Sequence, residues 1–352
     1  MTQHPEIKIA GRLIGQAHPP FVISELSANH NGSLKAALRL IDAAAKTGAD
    51  AVKIQTYTAD TITLKSDRPE FQITDGKWAG QSLHDLYSSA YTPWEWHAEM
   101  FERARLRNIV MFSSPFDPTA VDLLEDLNAP AYKIASFEAV DLPLIRYVAS
   151  TGKPMIISTG MADVEEIGEA IQTARDAGCK DLAILRCVSG YPAPAGEYNL
   201  ATIPDMLNRF GLVTGLSDHT LDNTTAIAAV ALGVSIVEKH MTEDRNGGGP
   251  DDSFSLEPKE FSELCSGART AWDAVGRVDY GRKSSEFSNV TFRRSLYFVK
   301  DLEAGDVIKE GDFRSVRPGL GAAPKLADDI IGMQVSDAVK AGTPVQIDLL
   351  LK

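Results

Sequence analysis

Apolar, β-rich runs recur along the chain with amphipathic stretches between them. They are FVISELSA (21–28), AVKIQTY (51–57), IVMFSSPF (109–116), AYKIASF (131–137), PMIISTG (154–160), LAILRCVS (182–189), LVTGLSDH (212–219) and SIVEKHMT (235–242). The stretches between them carry helix punctuation. LKAALRLIDAAAKTG has helical apolar spacing and a closing Gly, and DVEEIGEAIQTARDAG opens on an Asp cap and ends on Gly. DNTTAIAAVALG and EPKEFSELCSGARTAWDAV read the same way. Strands alternating with helices over residues 1–280 predict an α/β fold, a (β/α)8 TIM barrel. A doubly wound sheet is the alternative, but no Gly-x-Gly-x-x-Gly follows a strand.

The pattern changes at RVDYGRKSSEFSNVTFRR (277–294), a polar connector, with 281–292 as the linker proper. Residues 293–352 are short-stranded and turn-rich, which predicts a small all-β or mixed domain. LEAGDVI (302–308) is echoed by VKAGTPV (339–345), so this domain carries a weak internal repeat.

Composition, with 44% hydrophobic and 24% charged residues, is that of a soluble globular enzyme. The formal net charge of −13 argues against nucleic acid and anionic membranes as partners. An anionic substrate therefore needs a focused cationic pocket. Cys179, Cys187 and Cys265 lie too far apart in sequence for a zinc motif and suggest no disulfide framework. With no signal-like h-region and no long apolar run, a cytoplasmic protein is expected.

A barrel does its chemistry at the C-terminal ends of its strands. Those ends offer Glu25, Asn29 and His30; Lys53 and Gln55; Ser113 and Ser114; Lys133, Ser136 and Glu138; Ser158 and Thr159; Arg186, Ser189 and Tyr191; Ser217, Asp218 and His219; and Glu238, Lys239 and His240. Each has a plain reading: a strand-end Ser caps helices, and Glu25 with Lys53 makes a structural ion pair. Yet Lys53 and Lys133 interrupt core-like runs, and a lysine inside a barrel needs an anion beside it. Two lysines among hydroxyls make a cradle for phosphate or carboxylate.

His219 and His240 end consecutive strands. Strands ~4.8 Å apart let both imidazoles reach one divalent cation, with positions left open for substrate; two histidines that bind no metal are the alternative. The segment 58–81, with Phe71 and Trp78, is long enough for a lid. The loop EDRNGGGPDDSFSLEP brings Asp251 over the barrel mouth, or is flexible punctuation.

ISELSANHNG, ADAVKIQTYTAD, YKIASFE, GLSDHT, VEKHMTEDR, GGPD, FRRSLY and VRPGLG together resemble the sialic acid synthase (nonulosonic acid synthase) family over essentially the whole chain. SANHNGS, KIQTYTADTITL, KWAGQSLHDLYSSAYTPWEWH, FSSPFD and FSLEP are most similar to its pseudaminic acid branch. Ser114, Ser189, Gly190 and Asp252 stand where the neuraminic acid branch typically has other residues.

The resemblance implies condensation of phosphoenolpyruvate (PEP) with an N-acetylated amino sugar. It implies a C-terminal SAF (antifreeze-like) domain over 293–352 that crosses to a partner's barrel in a domain-swapped homodimer. Lys53, Ser114, Lys133, Ser136, Ser158, Ser189 and Ser217 would hold PEP. His219 and His240 would hold Mn2+, with Mg2+ or Co2+ as alternatives. Gln55, Glu138, Tyr191 and Asp251 would face the sugar, joined by Arg317 from the SAF domain. Glu25 would handle a proton or steady developing positive charge, with Lys53 and Lys133 as its catalytic neighbours. The alternatives are an N-acetylneuraminic or legionaminic acid synthase, a Schiff-base aldolase using Lys53 or Lys133, and a non-catalytic carbohydrate-binding protein.

Overall fold

The computed structural model describes residues 4–76 and 78–351. The chain forms two compact units, Met1–Gly276 and Arg277–Lys352. It enters through an element that the periodicity reading passed over, a hairpin of β1 (Glu6–Ile9) and β2 (Arg12–Gly15). Its signal was present in IKI-AG-RLIG, two short apolar runs about an Ala-Gly turn. Ala10 (φ 47°) and Gly11 (φ 86°) both take the left-handed region, as a tight two-residue hairpin turn requires. Ile7, Ile9 and Ile14 of this hairpin join one buried cluster with Phe21, Phe112 and Ile156.

The strands β3 (Phe21–Glu25), β4 (Ala51–Thr56), β5 (Val110–Pro115), β6 (Tyr132–Ile134), β7 (Met155–Ser158), β8 (Leu182–Cys187), β9 (Val213–Asp218) and β10 (Ile236–His240) follow. They close into one parallel barrel in sequential order, β10 against β3. The TIM barrel is thus the observed fold, with each strand inside its expected run.

The helices are α1 (Leu34–Thr47), α2 (Ala59–Ile62), α3 (Leu83–Ala90), α4 (His97–Leu106), α5 (Pro118–Asp126), α6 (Leu142–Ser150), α7 (Val164–Asp176), α8 (Thr202–Phe210), α9 (Thr224–Ala231) and α10 (Pro258–Val275). Three of them, α2 to α4, lie between β4 and β5, so the long segment after β4 carries short helices of its own; Lys77 within it lies outside the described residues.

Local chemistry sets the helix ends. Ser33 accepts from the Ala36 amide at the start of α1, and Gly48 (φ 88°) terminates it. Asp163 and Glu166 form a reciprocal capping box on α7.

Two buried clusters lie where strands meet helices, one holding Val22, Val52, Leu216 and Val237, the other Tyr132, Ile157 and Ile184. The third, the barrel interior, holds Ile23, Ala51, Phe112, Ala131, Ile156, Leu185, Val213 and Ile236. Alternation along each strand therefore decides which residues can face the barrel axis.

In the second unit, β11 (Ser295–Phe298) pairs with β12 (Phe313–Val316), and β13 (Gln334–Val335) with β14 (Leu350–Leu351). The short helix α11 (Ala327–Ile330) adds Ile330 to a core of Leu296, Phe298, Ile308, Val335, Val339 and Val345. The sequence echo has a structural meaning: Leu302 and Val339, the first residues of the two copies, pair as an antiparallel bridge. Among the described residues, no helix is long and apolar enough to cross a membrane.

Candidate active site

Counting two residues on from the barrel-core side chains, or four on from Val213 in β9, puts Glu25, Lys53, Ser114, Lys133, Ser158, Cys187, Ser217 and Glu238 on the inner face, one per strand, and all are buried. Lys53 forms an ion pair with Glu25. Its Nζ also lies 3.3 Å from Ser114 Oγ and 3.7 Å from Glu238 Oε1. Lys133 Nζ donates to the same Glu238 oxygen at 3.1 Å, and Ser217 Oγ donates to it at 3.2 Å. Glu25 Oε1 accepts from the Ser27 amide at 2.8 Å and from Gln55 Nε2 at 3.3 Å. The ion pair of Glu25 with Lys53 is therefore present, inside a larger network.

Glu238 was visible only as one strand-end acid among many. Its role as the hub of both lysines had no sequence signal, because Lys133 stands 105 residues away. Burial opposes its ionisation, but the ammonium groups of Lys133 and Lys53 outweigh burial and hold the carboxyl down at about 2. Burial raises Glu25, with the Glu238 charge adding to it against the opposing pull of Lys53. Burial also lowers Lys133, despite Glu238 beside it. For Lys53 burial acts in the same direction, but Glu238 and Glu25 overcome it and raise the ammonium above its ordinary value.

The expected cradle serines fall into three kinds. Ser114 and Ser217 are engaged by the charged network. Ser136 Oγ accepts from the Gly160 amide at 3.1 Å. The buried Oγ atoms of Ser158 and Ser189 have no hydrogen-bond partner among the described residues. Buried hydroxyls without partners are costly, so their presence beside two lysines points to a polar ligand.

The His219 and His240 rings stand 5.4 Å apart. His219 Nδ1 lies 2.8 Å from the Val188 carbonyl, so it donates there and leaves Nε2 with a lone pair. Burial lowers His219 to about 4 and His240 well below its ordinary value, so both rings are neutral at physiological pH. The buried Nδ1 of His240 has no hydrogen bond among the described residues and lies 3.9 Å from Asp251 Oδ2. This donor set fits a divalent cation. Among the described residues, no group of three or more His, Cys, Asp or Glu side chains is placed to hold a metal ion.

Above the network lies a cavity of about 510 Å3. The expected sugar-facing residues Gln55, Glu138, Tyr191 and Asp251 all line it, with Ser27, Ser189 and His240. Tyr191 packs against His219 with ring centroids 4.4 Å apart, and Trp78 of the long segment lies 6.3 Å from Tyr191. Glu138 is raised to about 7 by burial, and its Oε2 has no hydrogen-bond partner among the described residues. Tyr57, Ile62, Leu86, Tyr87, Ala90 and Phe116 also line the cavity; the sequence carried them inside branch-like motifs but gave none of them a site role. Apolar and aromatic residues off the strand ends look like core. Phe71, singled out earlier, is not among the lining residues.

Other strand-end residues serve the scaffold. Asn29 Nδ2 bonds the Met241 carbonyl and Ser255 Oγ, tying the first loop to the last. His30 Nδ1 accepts from the Gly32 amide. Lys239 is buried against Asp218 at 2.7 Å on the outward face of β10, and Arg186 Nε donates to the Tyr198 carbonyl. Arg317 belongs to the second unit, exposed just after β12.

Comparison with known proteins agrees with this geometry. The NeuB family model matches residues 40–280, and the SAF domain model matches residues 293–351. A pseudaminic acid synthase of Campylobacter jejuni is 42% identical over 92% of this chain and 94% of its own length. One from Helicobacter pylori is 40% identical over 94% and 97%. The crystal structure of an N-acetylneuraminic acid synthetase from Leptospira borgpetersenii superposes with a TM-score of 0.73 at 30% identity, covering 82% of this chain and 95% of that one. The chain belongs to the NeuB family and carries a SAF domain.

Proposed function

We propose that this NeuB-family chain is a pseudaminic acid synthase, a carbon–carbon bond-forming transferase. It condenses PEP with the open-chain aldehyde of a 2,4-diacetamido-2,4,6-trideoxy hexose, giving a nine-carbon nonulosonic acid and phosphate. The observation that carries this reading is the convergence of Lys53 and Lys133 with the unpartnered hydroxyls of Ser158 and Ser189 beneath a sugar-sized cavity. Relatives about 40% identical over nearly their full length carry the same name.

Lys53, Lys133 and the hydroxyls of Ser114, Ser136, Ser158, Ser189 and Ser217 bind the phosphate and carboxylate of PEP. Gln55, Glu138, Tyr191 and Asp251 orient the sugar. A divalent ion held by His219 and His240, Mn2+ in this reading, would polarise the aldehyde oxygen as a Lewis acid. The PEP methylene carbon bonds to the aldehyde carbon, whose oxygen gains a proton. Water adds to the former enol carbon and loses a proton, and the C–O bond to phosphate then breaks. Glu25, fixed by Lys53, Gln55 and the Ser27 amide, faces this centre and steadies the positive charge that builds before water adds.

The division into a synthase barrel (1–280), a linker (281–292) and a SAF domain (293–352) has a purpose in this scheme. Arg317 reaches the barrel of a partner chain in a homodimer. A cytoplasmic setting supplies PEP and suits three free cysteines. The Schiff-base alternative is disfavoured because carboxylates already engage both lysines.

Phosphate release from PEP against a panel of amino sugars, with mass analysis of the product, tests the reading. Sugar binding without phosphate release would return the chain to a carbohydrate-binding role.

A further inference from the structure

The cavity has two chemically different ends. His219 follows β9 and His240 ends β10, and Tyr191, which lines the cavity with His240, packs against His219. In the sequential ring of strands, β5 stands diametrically opposite β9. Phe116 directly follows β5, and Tyr57 directly follows β4. Their rings pack edge-on, 5.2 Å apart, and Tyr57 meets Tyr87 of α3 at 5.7 Å. Leu86 and Ala90 of α3 and Ile62 of α2 complete this wall. On these six residues the only polar side-chain atoms are two phenol hydroxyls.

We infer that this wall is the specificity element of the site: it takes the methyl end of a 6-deoxy sugar and rejects a 6-hydroxyl. The inference rests on the synthase reading above. With the aldehyde carbon held at the histidine end, an open-chain hexose directs its sixth carbon across the mouth to the opposite wall. Leu86 there is buried, and Phe116 and Ile62 present only carbon. A methyl group gains from burial against them. A hydroxymethyl group loses its water and finds on these six residues only the phenol hydroxyls of Tyr57 and Tyr87, with no side-chain carbonyl, amide or carboxylate. An apolar pocket discriminates against an added hydroxyl by on the order of 100-fold. The wall is built largely by α2 and α3, the short helices of the long segment between β4 and β5, so that segment selects substrate as well as covering it.

The test uses two sugars that differ only at C6, the 2,4-diacetamido-2,4,6-trideoxy hexose and its 6-hydroxy counterpart. Wild-type kcat/KM should favour the methyl sugar by on the order of 100-fold. Leu86→Gln, which places an amide on the wall, should cut this ratio about tenfold or more while leaving the PEP KM unchanged. Phe116→Tyr, a gentler change that guards against misfolding, should move the ratio the same way. Equal wild-type rates with both sugars, or an unchanged ratio in the folded Phe116→Tyr protein, would overturn the inference and leave the synthase reading intact. If neither sugar releases phosphate, the synthase reading fails instead. Calorimetric binding of the two sugars then decides the wall alone, and equal affinities would refute it.

Discussion

Lys133 and Glu238 meet across the full diameter of the barrel. They sit on β6 and β10, four strands apart in a ring of eight, and Nζ lies 3.1 Å from Oε1. Each thereby makes the other's burial tolerable, and Lys53 shares the same carboxylate at 3.7 Å.

Removing one partner leaves an uncompensated buried charge. Lys133→Met should destabilise the protein by about 3 kcal/mol, the lower end for broken buried pairs because Lys53 remains. Adding Glu238→Gln should restore part of that loss, since the stranded charge is gone. Urea denaturation of the two single variants and the double variant gives the coupling directly; strictly additive effects would show that the two groups act independently. In the activity assay, Lys133→Met and Lys53→Met should each raise the PEP KM far more than the sugar KM.

Gly160 keeps the serine cradle open. A Cβ there would overlap the hydroxyls of both Ser189 and Ser136. Gly160→Ala should therefore weaken PEP binding at least tenfold, about 1.4 kcal/mol, and change the sugar KM little. Calorimetric titration with PEP checks this, and unchanged affinity would place the cradle elsewhere.

Glu138 carries a pH signature. Its folded pKa of about 7 lies above the ordinary carboxyl value because of burial. A raised carboxyl favours the folded state while protonated, and that contribution is lost as pH rises from about 4.5 to about 7. Glu138→Gln should therefore leave thermal stability nearly unchanged at pH 4.5 and increase it at pH 8, by on the order of 1–3 kcal/mol. The pH profile of the sugar KM should lose an inflection near 7 in the same variant. A stability difference that does not vary with pH would rule out this ionisation.

For the histidines, His219→Ala or His240→Ala should preserve the fold by circular dichroism and lower bound metal and turnover together. Chelation of the wild-type protein should reproduce the loss, and added Mn2+ should reverse it. Full turnover by either variant under chelator would remove the metal from this site.

Arg317→Ala should raise the sugar KM and spare PEP binding if the SAF domain serves a partner's barrel. Mixing Arg317→Ala and Lys133→Met subunits should then restore part of the activity, because one site of each mixed dimer carries both lesions and the other carries none. Absence of recovery, with subunit exchange verified by mass, would mean that each domain serves its own barrel or neither.

The barrel was legible in the sequence because each strand and helix advertises itself locally. Apolar runs such as AVKIQTY, the Asp163 cap and the Gly48 terminator need only their neighbours in sequence to act. The candidate residues were legible for the same reason: a lysine or histidine at the end of a core-like run is a local anomaly. What each one touches was not legible. Glu238 became the hub of the floor, while its neighbour Lys239 turned outward to Asp218, because a strand sends successive side chains to opposite faces and only the closed barrel says what stands opposite. His30 and Asn29, as conspicuous in sequence as His219, went to loop hydrogen bonds. Leu86, Tyr57 and Phe116 lay inside stretches that resemble one branch of the family, but nothing local marked them as a wall. An apolar side chain carries the same signal in a core and in a binding cavity, and only the space left in front of it, a tertiary property, separates the two.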